Sequence, residues 1–368
     1  MSIGENRIPS LDGLRASSIF LVIGCHFAYS HGVDIRNPVF RVLDGDLGVR
    51  VFFVLSGYLI TTLMIAEQEK YGNFQLKKFF IRRSLRLFPV QYCFIAFVYF
   101  LTLTTPATVP RCSFITAMTF TKNYACGEWI DGHLWSLAVE EQFYLLWAIA
   151  FALLPRSALI RLALGLIAIA PMSRALEYAL GSRFYPWLTS NIDSLMIGCL
   201  LGLLAQNRSS YLARAASWHP MLMRAVAVML IYVQIILRQE LLLGKLTVTI
   251  GPLVQNLCIA YLIMSLVYSR QGITYRVMNS RAMVFFGLIS YSLYVWQMPF
   301  LAPPYVYGNE VQWFTKFPID LAIVFCSALL SYYILERPLA ALRNALHSRK
   351  EPPVGRIAAE QKLEKSAI

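Results

Sequence analysis

Apolar residues in this chain gather into long blocks separated by short polar stretches. The blocks fall at about 10–30, 47–66, 88–104, 134–154, 158–176, 188–206, 222–238, 248–268, 283–302 and 317–336, each near the roughly 20 residues a membrane-crossing helix requires. The pattern predicts an all-α, polytopic integral membrane protein of about ten transmembrane helices. The first block is too long and too polar for a signal-peptide core and reads as a retained helix. Gly198 and Gly202 form a small-xxx-small pair on the sixth span, a spacing suited to close helix crossing. There is no repeat at a solenoid period and no inverted hydropathy symmetry of the kind many transporters show. Residues 1–336 therefore read as one transmembrane domain. Residues 337–368 are charged, contain Pro352-Pro353 and lack apolar periodicity, so they read as a basic cytoplasmic tail, partly disordered at its end.

Composition agrees with this picture: the chain is 57% hydrophobic and 14% charged, against roughly 45–50% and 25% in ordinary globular domains. The net charge of +13 is explained by its distribution. With the N-terminus in the cytoplasm, roughly 22 Lys and Arg fall on that side against roughly 10 outside, which places both termini in the cytoplasm. Lys70, Lys77, Lys78, Arg82, Arg83 and Arg86 are the largest group within the body of the chain. Such residues meet anionic headgroups, and no nucleic-acid partner is implied. Cys25, Cys93, Cys199, Cys258 and Cys326 fall in or at the ends of spans, whereas Cys112 and Cys126 share a loop that this topology puts outside. An oxidising compartment permits a disulfide there, and the two are expected to be bonded to each other.

Ionisable groups inside the spans are where chemistry is sought. Arg15 and His26 stand eleven residues apart on the first span, so they line one helical stripe about 16 Å apart. Ser56-Gly57 on the second span offers a hydroxyl beside a backbone that permits close approach. Arg83 and Arg86, three apart, would present two guanidinium forks suited to phosphate oxygens. Glu140 lies one turn from both Ser136 and Tyr144, forming a polar stripe at the start of a span, suited to an outward-facing acceptor site or a counter-charge for Arg15 or His26. Arg174, Glu177, Asn191 and Asp193 add polar groups near span ends, and Arg174 with Glu177 can be read as an intrahelical pair. The five histidines are scattered, with no metal-ligand spacing and no phosphate-cradling Gly-rich loop, so no metal is expected.

Taken in order, these segments resemble the membrane-bound acyltransferase 3 family, which includes O-antigen and exopolysaccharide O-acetyltransferases. The resemblance rests on Leu11-Asp12-Gly13-Leu14-Arg15 with His26, Phe52-Phe53-Val54-Leu55-Ser56-Gly57-Tyr58, and Arg83-Ser84-Leu85-Arg86. It continues through Trp135-Ser136-Leu137-Ala138-Val139-Glu140 with Tyr144, Asp193-Ser194-Leu195-Met196-Ile197-Gly198, Tyr291-Ser292-Leu293-Tyr294-Val295-Trp296, and Leu335-Glu336-Arg337-Pro338. Members similar to this chain often carry His where it has Gln297, and an amide cannot titrate, which removes the basis for proton shuttling at that position. Some relatives also carry an extracytoplasmic hydrolase-like domain; none is expected from these residues, and the acceptor is expected to be met by the membrane domain itself.

The resemblance implies transfer of an acyl group, most often acetyl, from cytoplasmic acyl-CoA to a hydroxyl of a saccharide or lipid-linked saccharide at a bacterial inner (cytoplasmic) membrane. In that reading His26 is the catalytic base, Arg15 orients the thioester or stabilises negative charge, and Glu140 positions the acceptor or the imidazole. Arg83 and Arg86 hold the CoA phosphates, and Ser56, Tyr144, Trp135 and Asp193 serve the substrate. The competing reading is a multispan transporter or flippase of a saccharide precursor, with the same polar stripe used as a pathway.

Overall fold

The computed structural model describes residues 8–34, 37, 40–181, 186–207, 209–240 and 242–341; the expected tail falls almost entirely outside them. No strand occurs among the described residues, and nine of their helices are long and apolar enough to cross a membrane. They are Pro9–Ser30, Gly45–Tyr71, Leu76–Thr104, Trp129–Leu153, Arg156–Ala179, Leu188–Ala205, Pro220–Gln239, Gly251–Tyr268 and Ile319–Ala341. The chain is a multi-pass, all-α membrane protein.

The predicted ninth span, 283–302, is the exception. It is helical only over Arg281–Leu288 and Ser290–Trp296. At the first break the Ser290 hydroxyl donates to the Gly287 carbonyl at 2.9 Å. Beyond Trp296, Pro299 supplies no backbone N–H and disfavours helical geometry in the residue before it. Irregular backbone at membrane depth is tolerated where protein surrounds it, and Met298, Phe300, Leu301 and Ala302 are all buried.

Local signals set the other boundaries. The Asp44 carboxylate caps the second span by accepting from Leu47 N at 2.9 Å, and Gly72 ends that span in the left-handed conformation. Pro9, Pro220 and Pro252 each stand in the first turn of a span, where no backbone N–H is needed. The second and sixth spans are the most buried, at 67% and 72% of their apolar windows, and form the centre of the bundle. They cross where Gly57 faces the Leu195 carbonyl and Gly198 the Val54 carbonyl, positions at which any Cβ would collide with backbone. Peripheral spans instead expose Leu146, Leu153, Met172 and Leu330, as a lipid-facing surface requires. The first span packs between this centre and the broken segment, which fixes where its Arg15 and His26 are presented.

Cys112 and Cys126 form a disulfide, as expected, and the other five cysteines are free. The bridge pins the loop that leads into Trp129–Leu153, and that loop walls the site.

Candidate active site

On the disulfide-loop side, a cavity of about 680 Å³ opens between the first, second and fourth spans and loop 122–128. Its lining includes His26, Asp46, Lys122, Asn123, Trp129, His133, Trp135, Glu177, Trp187 and Tyr294, so charges of both signs stand among aromatic rings. That volume and mixture suit a small polar ligand.

His26 is half-buried in the wall, and its Nδ1 lies 3.2 Å from Gln297 Oε1. The amide is oriented by its own Nε2, which donates to the Tyr294 carbonyl at 3.3 Å. With the NH₂ turned to that carbonyl, Oε1 faces the ring and accepts from His26 Nδ1, and the neutral imidazole then carries its lone pair on Nε2. The imidazole is thereby set in the tautomer of a proton acceptor. Gln297 thus places a hydrogen-bond acceptor beside the His26 ring.

A second histidine, absent from the sequence expectations, lines the same cavity. His133 is buried, with Nε2 bonded to the Val295 carbonyl at 3.0 Å and its ring edge-on to Phe94 and Tyr294. The Tyr294 hydroxyl donates to the His133 carbonyl at 2.8 Å and lies 2.6 Å from Ser136 Oγ, which ties the broken segment to the fourth span. The place of His133 two residues before the Trp135-Ser136 motif was the available signal. Lys122 was also missed: its Nζ bonds Asp131 Oδ2 at 2.7 Å and contacts Ser113 Oγ. Burial pushes the Lys122 amine below its usual range, and the adjoining Asp131 carboxylate opposes that shift.

Arg15, Ser56, Arg83, Glu140 and Tyr144 form a second centre, toward the arginine-rich side. Ser56 Oγ donates to Glu140 Oε1 at 2.7 Å. Arg83 Nη2 lies 3.8 Å from Glu140 Oε2, and Arg83 Nε donates to Glu141 Oε1 at 3.0 Å. The Arg83 guanidinium also sits 3.3 Å over the Tyr144 ring, with only 13% of its side chain exposed. Arg15 has Arg86, Asp12, Tyr144 and Glu140 as its electrostatic neighbours.

Several expectations change here. Glu140 does not face the His26 cavity, because its helix begins at Leu134 and six residues carry it about 9 Å deeper. It is a counter-charge to Arg83 and, as expected, an electrostatic neighbour of Arg15. Arg83 is spent on Glu140, Glu141 and Tyr144, while Arg86 is exposed. Tyr144 is buried beneath that guanidinium, and only Trp135 of the four substrate candidates reaches the cavity. Asp193 is buried in an ion pair with Arg174, at 3.0 Å, with no exposure on either side chain. Arg174 thus serves Asp193 and not Glu177, which accepts from Ser190 and lines the cavity. Arg15 and His26 share a helix and a stripe but stand in different centres. Among the described residues, no group of three or more His, Cys, Asp or Glu side chains is placed to hold a metal.

The family model for an acyltransferase domain matches residues 8–337, which take in both centres. The chain belongs to the acyltransferase 3 family. Peptidoglycan O-acetyltransferase OatA of Listeria monocytogenes is 32% identical over 226 residues, covering 54% of this chain and 34% of that relative. YrhL of Bacillus subtilis, provisionally named a peptidoglycan O-acetyltransferase, is 27% identical over 90% of this chain and 55% of its own length. A Staphylococcus aureus relative, provisionally named an O-acetyltransferase, is 28% identical over 90% of this chain and 57% of its own length. This acyltransferase 3 chain thus spans between a third and three-fifths of the length of these curated relatives. No solved structure matches it.

Proposed function

We propose that the protein is a membrane O-acetyltransferase that moves an acetyl group from acyl-CoA on the arginine-rich side to a saccharide hydroxyl entering the cavity on the disulfide-loop side. The observation that carries the reading is the Gln297–His26 contact, which leaves a proton-accepting nitrogen on a residue that lines a mixed polar and aromatic cavity. Family membership and the names of the relatives support the reaction class.

In this mechanism His26 takes the proton of the acceptor hydroxyl as its oxygen attacks the thioester carbonyl, a role worth roughly 10² to 10⁴ in rate. The new C–O bond forms as the C–S bond breaks, and the proton passes to the departing thiolate. Arg15, on the same helix, stabilises charge on the donor. Arg86 is assigned the CoA phosphates, since it is exposed and no carboxylate stands within ion-pair distance among the described residues. Arg83 is a positioning residue for Glu140. The arginine-rich side is cytoplasmic, and the membrane is the bacterial inner membrane.

The test uses the purified full chain in nanodiscs with radiolabelled acetyl-CoA and a β-1,4-linked N-acetylglucosamine oligomer. Label transfer by the wild type and its loss in His26→Ala support the reading. Acetyl-CoA neither bound nor consumed by the wild type would remove it.

A further inference from the structure

Beyond the cavity, aromatic rings continue from His26 to the surface of the disulfide-loop side. The Trp129 ring stands edge-on to His26 with centroids 5.8 Å apart, and Tyr29 stacks on Trp129 at 4.7 Å with an interplanar angle of 20°. Tyr305 approaches the same indole edge-on at 6.5 Å. The indole is not free to turn, because its Nε1 donates to the Leu301 carbonyl at 3.1 Å. Trp129 is half-buried, whereas Tyr29 and Tyr305 are each 56% exposed. Rings contributed by three separate parts of the chain therefore run as one touching series from the candidate base to solvent.

Aromatic residues near a membrane surface also arise as interfacial belts, in which single rings sit at headgroup level. This series differs: its members pack on one another, one is fixed by a hydrogen bond, and its inner end touches the histidine of the cavity. Tyr124, Asn123 and Glu128 border Trp129 in that wall and supply a further ring, an amide and a carboxylate. A sugar ring has apolar C–H faces and a rim of hydroxyls. Flat rings answer the first and the polar groups answer the second.

We infer that Tyr29, Trp129 and Tyr305 form a stacking subsite for a saccharide chain of several units, holding the units that extend out of the cavity while one hydroxyl is presented at His26. The inference rests on the acetyl-transfer reading for its location. It adds that the acceptor is recognised as a chain and not as a single sugar.

The experiment measures equilibrium binding by tryptophan fluorescence for the full chain in nanodiscs, with the β-1,4-linked N-acetylglucosamine monomer and tetramer as probes. The tetramer is expected to bind about tenfold or more tightly than the monomer. Tyr29→Ala with Tyr305→Ala should erase that preference, and Tyr29→Phe with Tyr305→Phe should keep it. Equal binding of the two probes, binding of neither, or a preference that survives the double alanine variant overturns the subsite. Transfer is read separately. A wild type that transfers acetyl yet binds monomer and tetramer equally removes the subsite alone, and a wild type that prefers the tetramer yet transfers nothing removes the enzymatic reading alone.

Discussion

The amide oxygen of Gln297 lies 3.2 Å from His26 Nδ1, and the amide nitrogen behind it is tied to the Tyr294 carbonyl. One amide on the broken segment thus decides which nitrogen of a histidine on the first span carries the proton. Gln297→Glu replaces a neutral acceptor with a carboxylate, which favours the imidazolium. Transfer at neutral pH should fall at least about tenfold, and the rise of rate with pH should move to higher pH, because the free base then appears only in more alkaline solution. A pH–rate profile of the variant beside the wild type checks both effects.

Arg83 and Arg86 should separate in kinetics. Removing Arg86 is expected to raise the KM for acetyl-CoA about tenfold or more with little change in kcat. Removing Arg83 leaves Glu140 and Glu141 without their close guanidinium partner in a largely buried site, an effect on the order of 3 kcal/mol of stability. Thermal melting of the detergent-solubilised variants, beside donor titrations, tells the two roles apart.

Lys122, in the cavity wall, forms a buried pair with Asp131 behind it. Lys122→Met strands the carboxylate and should cost about 3–5 kcal/mol. Lys122→Met combined with Asp131→Leu removes both charges and should recover most of that loss. A double-variant melting cycle measures the coupling directly.

Much of the fold was legible because spans are written in hydropathy. Nine blocks became nine spanning helices, with boundaries set by Pro9, Asp44, Gly72 and Pro220. The block at 283–302 gave no sign of its break, since hydropathy registers apolar character and Ser290 and Pro299 interrupt the helix without interrupting that character. His26 and Trp135 were legible as a polar and an aromatic residue in motifs, and both line the cavity. Glu140 and Asp193 were legible as candidates but not as partners. A carboxylate in a span must find a cation, and whether that is Arg83 or Arg174 depends on helix crossings that no local pattern encodes. Lys122 joins the site because it stands in the disulfide loop, and His133 because the fourth span meets the broken segment at the Val295 carbonyl.

The most direct test of the central claim is the rate of acetyl transfer by His26→Ala in nanodiscs, with insertion verified by the size-exclusion profile and the intact Cys112–Cys126 bridge. The account predicts a well-folded protein whose transfer falls by about 10² or more. Turnover at the wild-type rate in that variant would contradict it.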